Sequence, residues 1–260
     1  MKNKLLIIVA SCFVILFAGC TKKENNTDTL NTIMKRGKVI VGVKYDTKPF
    51  GYMNEKQQLV GFDVDLAKYI SKSILGDEKK VEFKPVTPSN RISLLSSGQV
   101  DMIVATMTIT SQRKEIIDFS IPYYVAGQAV LVPKDSEIES IQDLNGKKVI
   151  IIFGSTAEKN LRLIAPDANI IGFKTYTRGY NALKQGEADA MTSDDTILIG
   201  FALCDHSVKI LPKRYTKEPY AIGFKKGPIS FRLKNEVDCI LERMKNNGEL
   251  TMLKNKWVKY

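Results

Sequence analysis

The chain has 260 residues, 44% hydrophobic and 26% charged, with a formal net charge of +11. That composition supports a sizeable core and excludes a disordered polyelectrolyte, and the length fits one large or two small domains. A single histidine, His206, and four cysteines without CxxC spacing exclude a clustered zinc-type centre, so no metal ligands are expected.

Met1-Lys2-Asn3-Lys4 precedes an apolar run of 15 residues, Leu5 to Gly19. This is short of the roughly 20 residues that cross a bilayer, and a basic start, one apolar run and small residues before a break make a secretory signal over residues 1–19. Phe17-Ala18-Gly19-Cys20 looks like a lipobox, with Phe17 where leucine is usual, so Cys20 is the expected lipidation site and an uncleaved anchor helix is the alternative. Loss of Lys2 and Lys4 leaves +9; the lysines are scattered and the chain is exported, so the charge reads as a surface facing anionic lipid or cell wall, with no nucleic acid partner. Residues 20–34, polar and rich in Asn and Thr, read as a tether.

Beyond the tether, "VIVGV" from Val39 is a continuous β-branched strand, and "GFDVDLAKYISKSIL" places Phe62, Leu66, Ile70 and Ile74 on one face of a helix. "VEFKPV" follows as a strand, "NRISLLSSG" as a short helix ending at Gly98, and "VDMIVAT" as a strand. The series then repeats: "KKVIIIF", a Ser- or Thr-capped helix "STAEKNLRLIA", "ANIIGF", "YNALKQGEA" stopped at Gly186, and "DAMTS". Alternation of strand and helix implies mostly parallel sheets, and its repetition implies two α/β lobes. "PYYVAGQAVLV" and "YTKEPYAIGF" read as extended crossovers near 125–129 and 217–221, and the helical C-terminal run, broken at Gly248, closes the first lobe. The expected division is 35–125 with 221–260 as lobe 1 and 126–220 as lobe 2. A Cys204–Cys239 disulfide would freeze these lobes together and is not favoured.

The stretch "ATMTITSQRK", Ala105 to Lys114, ends a strand in hydroxyls and places Arg113 just beyond. At the carboxyl edge of a parallel sheet such a loop suits a small carboxylate, clasped by the guanidinium and by free amides. On spacing alone the same residues also fit a capped helix start with a surface charge.

"VDMIVATMTITSQRKEIIDFSIPYY" resembles the signature of the solute-binding proteins, family 3, of polar amino acid ABC transporters. "VGVKYDTKPFGY", "LVGFDVDLAKYI", "GSTAE", "LKQGEADAMTSDD" and "LKNKWV" resemble it too, in collinear order from Lys35 to Tyr260. The resemblance implies a type II periplasmic-binding-protein-like α/β fold, two lobes joined by two crossover strands and enclosing an amino acid. It assigns the ligand α-carboxylate to Arg113, with Thr106 and Thr108 beside it and the Gly154-Ser155-Thr156 turn offering amides from the other lobe. Asp194 would receive the α-ammonium, although it or Asp195 equally suits a helix N-cap. Lys44 and Arg91 match positions that hold a side-chain carboxylate in the glutamate and aspartate branch; without the resemblance they read as a snorkelling and a helix-start surface charge. Arg113, Lys44 and Arg91 against Asp194 leave +2, and an unpaired buried cation costs several kcal/mol, so an acidic amino acid is expected, with glutamine or another polar amino acid as the alternative. The aromatic platforms of many members are replaced by Thr47 and about Pro88, which disfavours flat or long cationic ligands.

The implied protein is a lipid-anchored receptor, expected to be a monomer without cofactor, that hands its ligand to a membrane permease and ATPase. An enzyme on the same fold, such as a dehydratase, would need a general acid or base in the cleft, for which His206 and Glu158 are poor candidates.

Overall fold

A computed structural model describes residues 28–258. The expected signal peptide and the lipidation site Cys20 lie outside the described residues.

The first half runs α1 (Thr29–Arg36), β1 (Val39–Val43), β2 (Asp46–Thr47), β3 (Gly51–Met53), β4 (Leu59–Val60), α2 (Phe62–Leu75), β5 (Val81–Pro85), α3 (Arg91–Ser96), β6 (Met102–Ile103), α4 (Ser111–Ile116) and β7 (Ile117–Phe119). After the first crossover, β8 (Tyr124–Ala126), come β9 (Gln128–Pro133), β10 (Lys148–Ile152), α5 (Ala157–Ile164), β11 (Asn169–Phe173), α6 (Tyr176–Lys184), β12 (Ala190–Asp194), α7 (Asp195–Ala202) and β13 (Val208–Ile210). The return crossover, β14 (Glu218–Tyr220), leads to β15 (Gly223–Lys225), α8 (Pro228–Asn246) and α9 (Glu249–Trp257).

Two five-stranded sheets result, ordered β5-β1-β6-β15-β7 and β11-β10-β12-β9-β13. In each, three neighbouring strands are parallel and the fourth runs antiparallel. Both faces of each sheet are covered, as the pleat of β10 shows. Ile150 and Ile152 enter one apolar cluster with α6 and α7, while Val149 and Ile151 enter another with α5. In the first lobe Val39, Val41 and Val43 of β1 pack against α2 and α8. The crossovers β8 and β14 pair antiparallel, Glu218 opposite Ala126 and Tyr220 opposite Tyr124.

The helix break is where the sequence placed it, with Gly248 left-handed at φ +83° between α8 and α9. The tether ends earlier than expected. Residues 29–34 belong to α1, because Asp28 caps its first turn, accepting from the Leu30 amide at 2.8 Å, and Ile33 is fully buried against the first-lobe core. The small β2-β3-β4 sheet was not anticipated, since strands of two or three residues leave no legible alternation. Cys204 and Cys239 are both free and exposed. Among the described residues no helix is long and apolar enough to cross a membrane.

Candidate functional site

The lobes meet along the carboxyl edges of their parallel strands, where β1, β6, β10 and β12 all end. Arg113 sits in α4, a six-residue helix whose cap, the Thr110 hydroxyl, accepts from the Arg113 amide at 3.1 Å. Its side chain turns inward: Nη1 donates to the Thr108 carbonyl at 2.7 Å, and Nη2 reaches the opposite lobe to donate to the Gly154 carbonyl at 2.9 Å. Gly154, with φ +80°, brings its backbone hard against Pro88 of the first lobe. The Asp46 carboxylate likewise accepts from the Tyr176 amide of the second lobe at 3.1 Å. This is a closed arrangement.

Six of the eight sequence-predicted residues are buried together there: Lys44, Arg91, Thr106, Thr108, Arg113 and Asp194. Lys44 is 1% exposed rather than snorkelling, with Nζ 4.3 Å from the centre of the Tyr176 ring. Arg91 is 2% exposed and donates from Nη1 to the Ala105 carbonyl at 2.8 Å. Asp194 occupies the N-cap position of α7 but makes no capping bond; its Oδ2 accepts from the Tyr220 hydroxyl at 2.6 Å. Asp195 is occupied elsewhere, accepting from the Gly127 amide at 3.1 Å and pairing with Arg214. Ser155 and Thr156 are only half-buried, and their hydroxyls donate within the molecule, Ser155 to the Ile152 carbonyl at 2.7 Å and Thr156 to Glu218 at 3.2 Å. Of the enzyme candidates, His206 is exposed on the second lobe and Glu158 pairs with Arg162 on α5.

Burial governs the ionisation of this cluster. Burial, then the charge of Arg91, brings Lys44 down to about 7. Burial, then Arg113, brings Arg91 down to about 9. Burial raises Asp194 to about 6, and the nearby Glu218 charge adds to the rise.

Three participants went unseen in the sequence. Asp63 is fully buried at the start of α2; Oδ2 accepts from the Thr106 amide and Oδ1 from the Tyr123 hydroxyl, each at 2.9 Å. It reads in sequence as an ordinary first-turn acid of an amphipathic helix. Glu218, 4% exposed, accepts from Asn160 at 2.9 Å and Thr216 at 2.8 Å as well as from Thr156. Tyr176, at the first position of α6 behind its Thr175 cap, supplies from the second lobe an aromatic wall that the first-lobe loop lacks. Thr47 is buried in β2, its hydroxyl 3.2 Å from Asp46, and Pro88 meets Gly154, so neither serves as a platform. Arg91 Nε and Thr106 Oγ1 are buried without a hydrogen-bond partner among the described residues. Thr106 also holds a left-handed backbone, φ +44°, uncommon for a β-branched residue.

A closed interlobe site with a buried Arg at a strand-to-helix loop and a facing Asp defines an amino acid receptor of the two-lobed kind. The chain belongs to the bacterial extracellular solute-binding proteins, family 3, whose model matches residues 39–260. It is similar to the ABC transporter glutamine-binding protein GlnH of Bacillus subtilis (strain 168), 43% identical over 98% of this chain and 96% of the relative. A glutamine-binding protein of Geobacillus stearothermophilus is 44% identical over 84% of this chain and 90% of its own length. Among solved structures, an ancestral arginine-binding protein bound to glutamine matches with a TM-score of 0.81 and 38% identity, covering 86% of this chain and 99% of that one. Glutamate-binding relatives are more distant, such as GluB of Corynebacterium efficiens at 32% identity.

Proposed function

We propose that this amino acid solute-binding protein captures glutamine and presents it to the permease and ATPase of an ABC importer, held outside the cytoplasm by a lipid on Cys20. The preference for an acidic ligand expected from sequence rested on a count that omitted two buried carboxylates. Lys44, Arg91 and Arg113 face not Asp194 alone but Asp63, Asp194 and Glu218, all buried, and Asp46 lies beside Lys44 as well, so carboxylates at least balance the three cations. That balance is the observation that carries the reading: a zwitterion with a neutral side chain preserves it, whereas a second ligand carboxylate leaves an unpaired buried anion. The names of the two relatives above 40% identity support the same choice.

In this reading Arg113 clasps the α-carboxylate, with Thr108 and the amide of Thr156 completing its shell, whereas the Ser155 amide, expected from sequence to join them, donates to the Ile152 carbonyl at 3.1 Å. Asp194, fixed by Tyr220, receives the α-ammonium. The unpartnered Arg91 Nε and Thr106 Oγ1 suit the two ends of a side-chain amide, a carbonyl that accepts and an amino group that donates. Tyr176 and Lys44, in contact with each other, lie beside Arg91. The ligand bridges the lobes and so favours the closed state by its differential affinity for it. The chain acts as a monomer and performs no covalent chemistry.

Isothermal titration of the ligand-free, detergent-solubilised full chain against glutamine, glutamate, aspartate and histidine tests this. Tight binding of glutamine, lost by about 30-fold or more in Arg113→Ala, is expected. A preference for glutamate or aspartate would restore the acidic reading, and silence toward all four would remove the amino acid assignment.

A further inference from the structure

We propose that Asp63, whose two carboxylate oxygens are both held by protein donors, is a positioning and specificity-determining residue: a built-in counter-charge that occupies electrostatically the place of a ligand's second carboxylate. The inference rests on the glutamine reading and deepens it.

The geometry is that of one peptide group held between two charges. The Ala105 carbonyl accepts from Arg91 Nη1 at 2.8 Å, and the N–H of the same peptide unit, on Thr106, donates to Asp63 Oδ2 at 2.9 Å. Guanidinium and carboxylate therefore lie within about 8 Å of each other, joined through a polarised peptide. The second Asp63 oxygen accepts from the Tyr123 hydroxyl, so both are satisfied without solvent. Asp194, which also acts on Lys44 and Arg91, is bound to Tyr220 and is spoken for by the ligand ammonium, and Glu218 is bound to the α5 turn, whereas Asp63 stands behind the loop near Arg91 and Lys44 with no ligand group of its own to meet. Lys44 and Arg91 both pull the Asp63 carboxyl downward against the burial that raises it to about 6. Asp63 also fixes Thr106 in its left-handed backbone, which aims the unpartnered Thr106 Oγ1.

A neutral residue of the same shape should leave Lys44 and Arg91 one carboxylate short, with Asp46 and Asp194 remaining beside them, and a ligand with a side-chain carboxylate should then supply the missing charge. A unit charge acting over about 8 Å at an effective dielectric near 20 changes a dissociation constant about tenfold or more.

The experiment titrates glutamine and glutamate into the detergent-solubilised full chain, unmutated and as Asp63→Asn, whose side chain still accepts from Thr106 and still meets Tyr123. The ratio Kd(glutamate)/Kd(glutamine) is expected to fall at least tenfold. A ratio unchanged within threefold, with both affinities weakened or both intact, would reduce Asp63 to a structural role and overturn the proposal. Tyr123→Phe removes a hydrogen bond from Asp63 but no charge, and its ratio is expected to stay put; a fall equal to that of Asp63→Asn would overturn the charge argument.

Should Asp63→Asn fail to fold, the same comparison is made in a Lys44→Met background, where Asp63→Asn leaves one cation fewer unpaired. There too the ratio must fall on replacing Asp63, and equal ratios with Asp and Asn overturn the inference. The unmutated chain reports separately on the ligand reading: if it already prefers glutamate, that reading fails while the expected fall on replacing Asp63 still stands or falls by itself. A chain that binds neither ligand sinks both.

Discussion

Gly154→Ala separates closure from folding. At Gly154 φ is +80°, and a Cβ would stand 2.6 Å from the Pro88 carbonyl oxygen, 2.7 Å from its carbon and 2.8 Å from the Ser89 Cα. These are backbone atoms of the opposite lobe and cannot rotate aside. The positive φ costs an alanine about 1 kcal/mol whether the lobes are open or closed, so it lowers the melting temperature without altering affinity. The overlap exists only where the lobes touch. Overpacking of this kind costs roughly 1–3 kcal/mol and is subtracted wholly from the closed state. Apparent affinity for glutamine should therefore fall about 5- to 150-fold, because binding and closure are one equilibrium. Small-angle scattering at equal, subsaturating ligand concentration should show a larger radius of gyration than the unmutated protein. Gly200→Ala is the companion, its Cβ 2.1 Å from the Lys48 carbonyl oxygen of the first lobe. Since Gly200 lies within helix α7, it carries the overlap without the left-handed backbone term. Unmutated affinity in both variants would refute the claim that these surfaces meet when ligand is bound.

Asp194→Asn should weaken glutamine binding by about 2–4 kcal/mol, measured by calorimetry, through loss of the ammonium partner. Tyr220→Phe, which removes the bond that orients Asp194 together with the hydroxyl's 3.0 Å contact with Thr196, should cost about 1 kcal/mol in the same assay. Lys44 titrates near 7 in the fold and near 10.5 in the unfolded chain, so between those values the unfolded state binds more protons and stability rises with pH. Denaturant unfolding of the ligand-free protein from pH 7 to 9 should show that rise, and Lys44→Met should flatten it; an equal slope in the two proteins would place Lys44 in solvent. Thiol titration of the native chain under air should find Cys204 and Cys239 reactive, and a protected pair would reveal a disulfide between the lobes.

The elements that sequence predicts well are those with long apolar periodicity. β1 and β10 alternate between two buried faces, α2 repeats every four residues, and glycines at 98, 186 and 248 end their helices in left-handed conformations. Arg113 and Thr108 were legible because a motif holds them at fixed spacing beside one another. Asp63, Glu218 and Tyr176 were not, because each is an ordinary residue locally: a first-turn acid, an acid in an extended crossover, an aromatic at a helix start. What makes them part of the site is contact over large separations, Asp63 with Thr106 and Glu218 with Thr156. Charge counted from one motif therefore overestimates a cleft's net charge whenever buried counter-ions come from elsewhere in the chain, and the expectation of an acidic ligand rested on such a count.

The second crossover explains how such a site can read its ligand. The Ile109 amide donates to the Pro219 carbonyl and the Ala221 amide to the Met107 carbonyl, at 2.9 and 3.0 Å, so β14 is laced to the first-lobe binding loop. From the same strand Tyr220 reaches Asp194 and Glu218 reaches Thr156, both in the second lobe. The pivot thus carries direct bonds to both halves of the proposed ligand shell, and bending it must change the separation of Thr108 from Asp194 and Thr156. Away from the pivot, hydrogen bonds between the lobes include Arg113 to Gly154, Tyr176 to Asp46 and Lys48 Nζ to Cys204 at 3.2 Å. At about 1 kcal/mol net apiece these form a clasp too weak to outweigh the rotational freedom of two open lobes by much. Under the proposed reading, a ligand that adds charge-assisted bonds to Arg113 on one side and Asp194 on the other would supply the difference, which would make closure a report of occupancy.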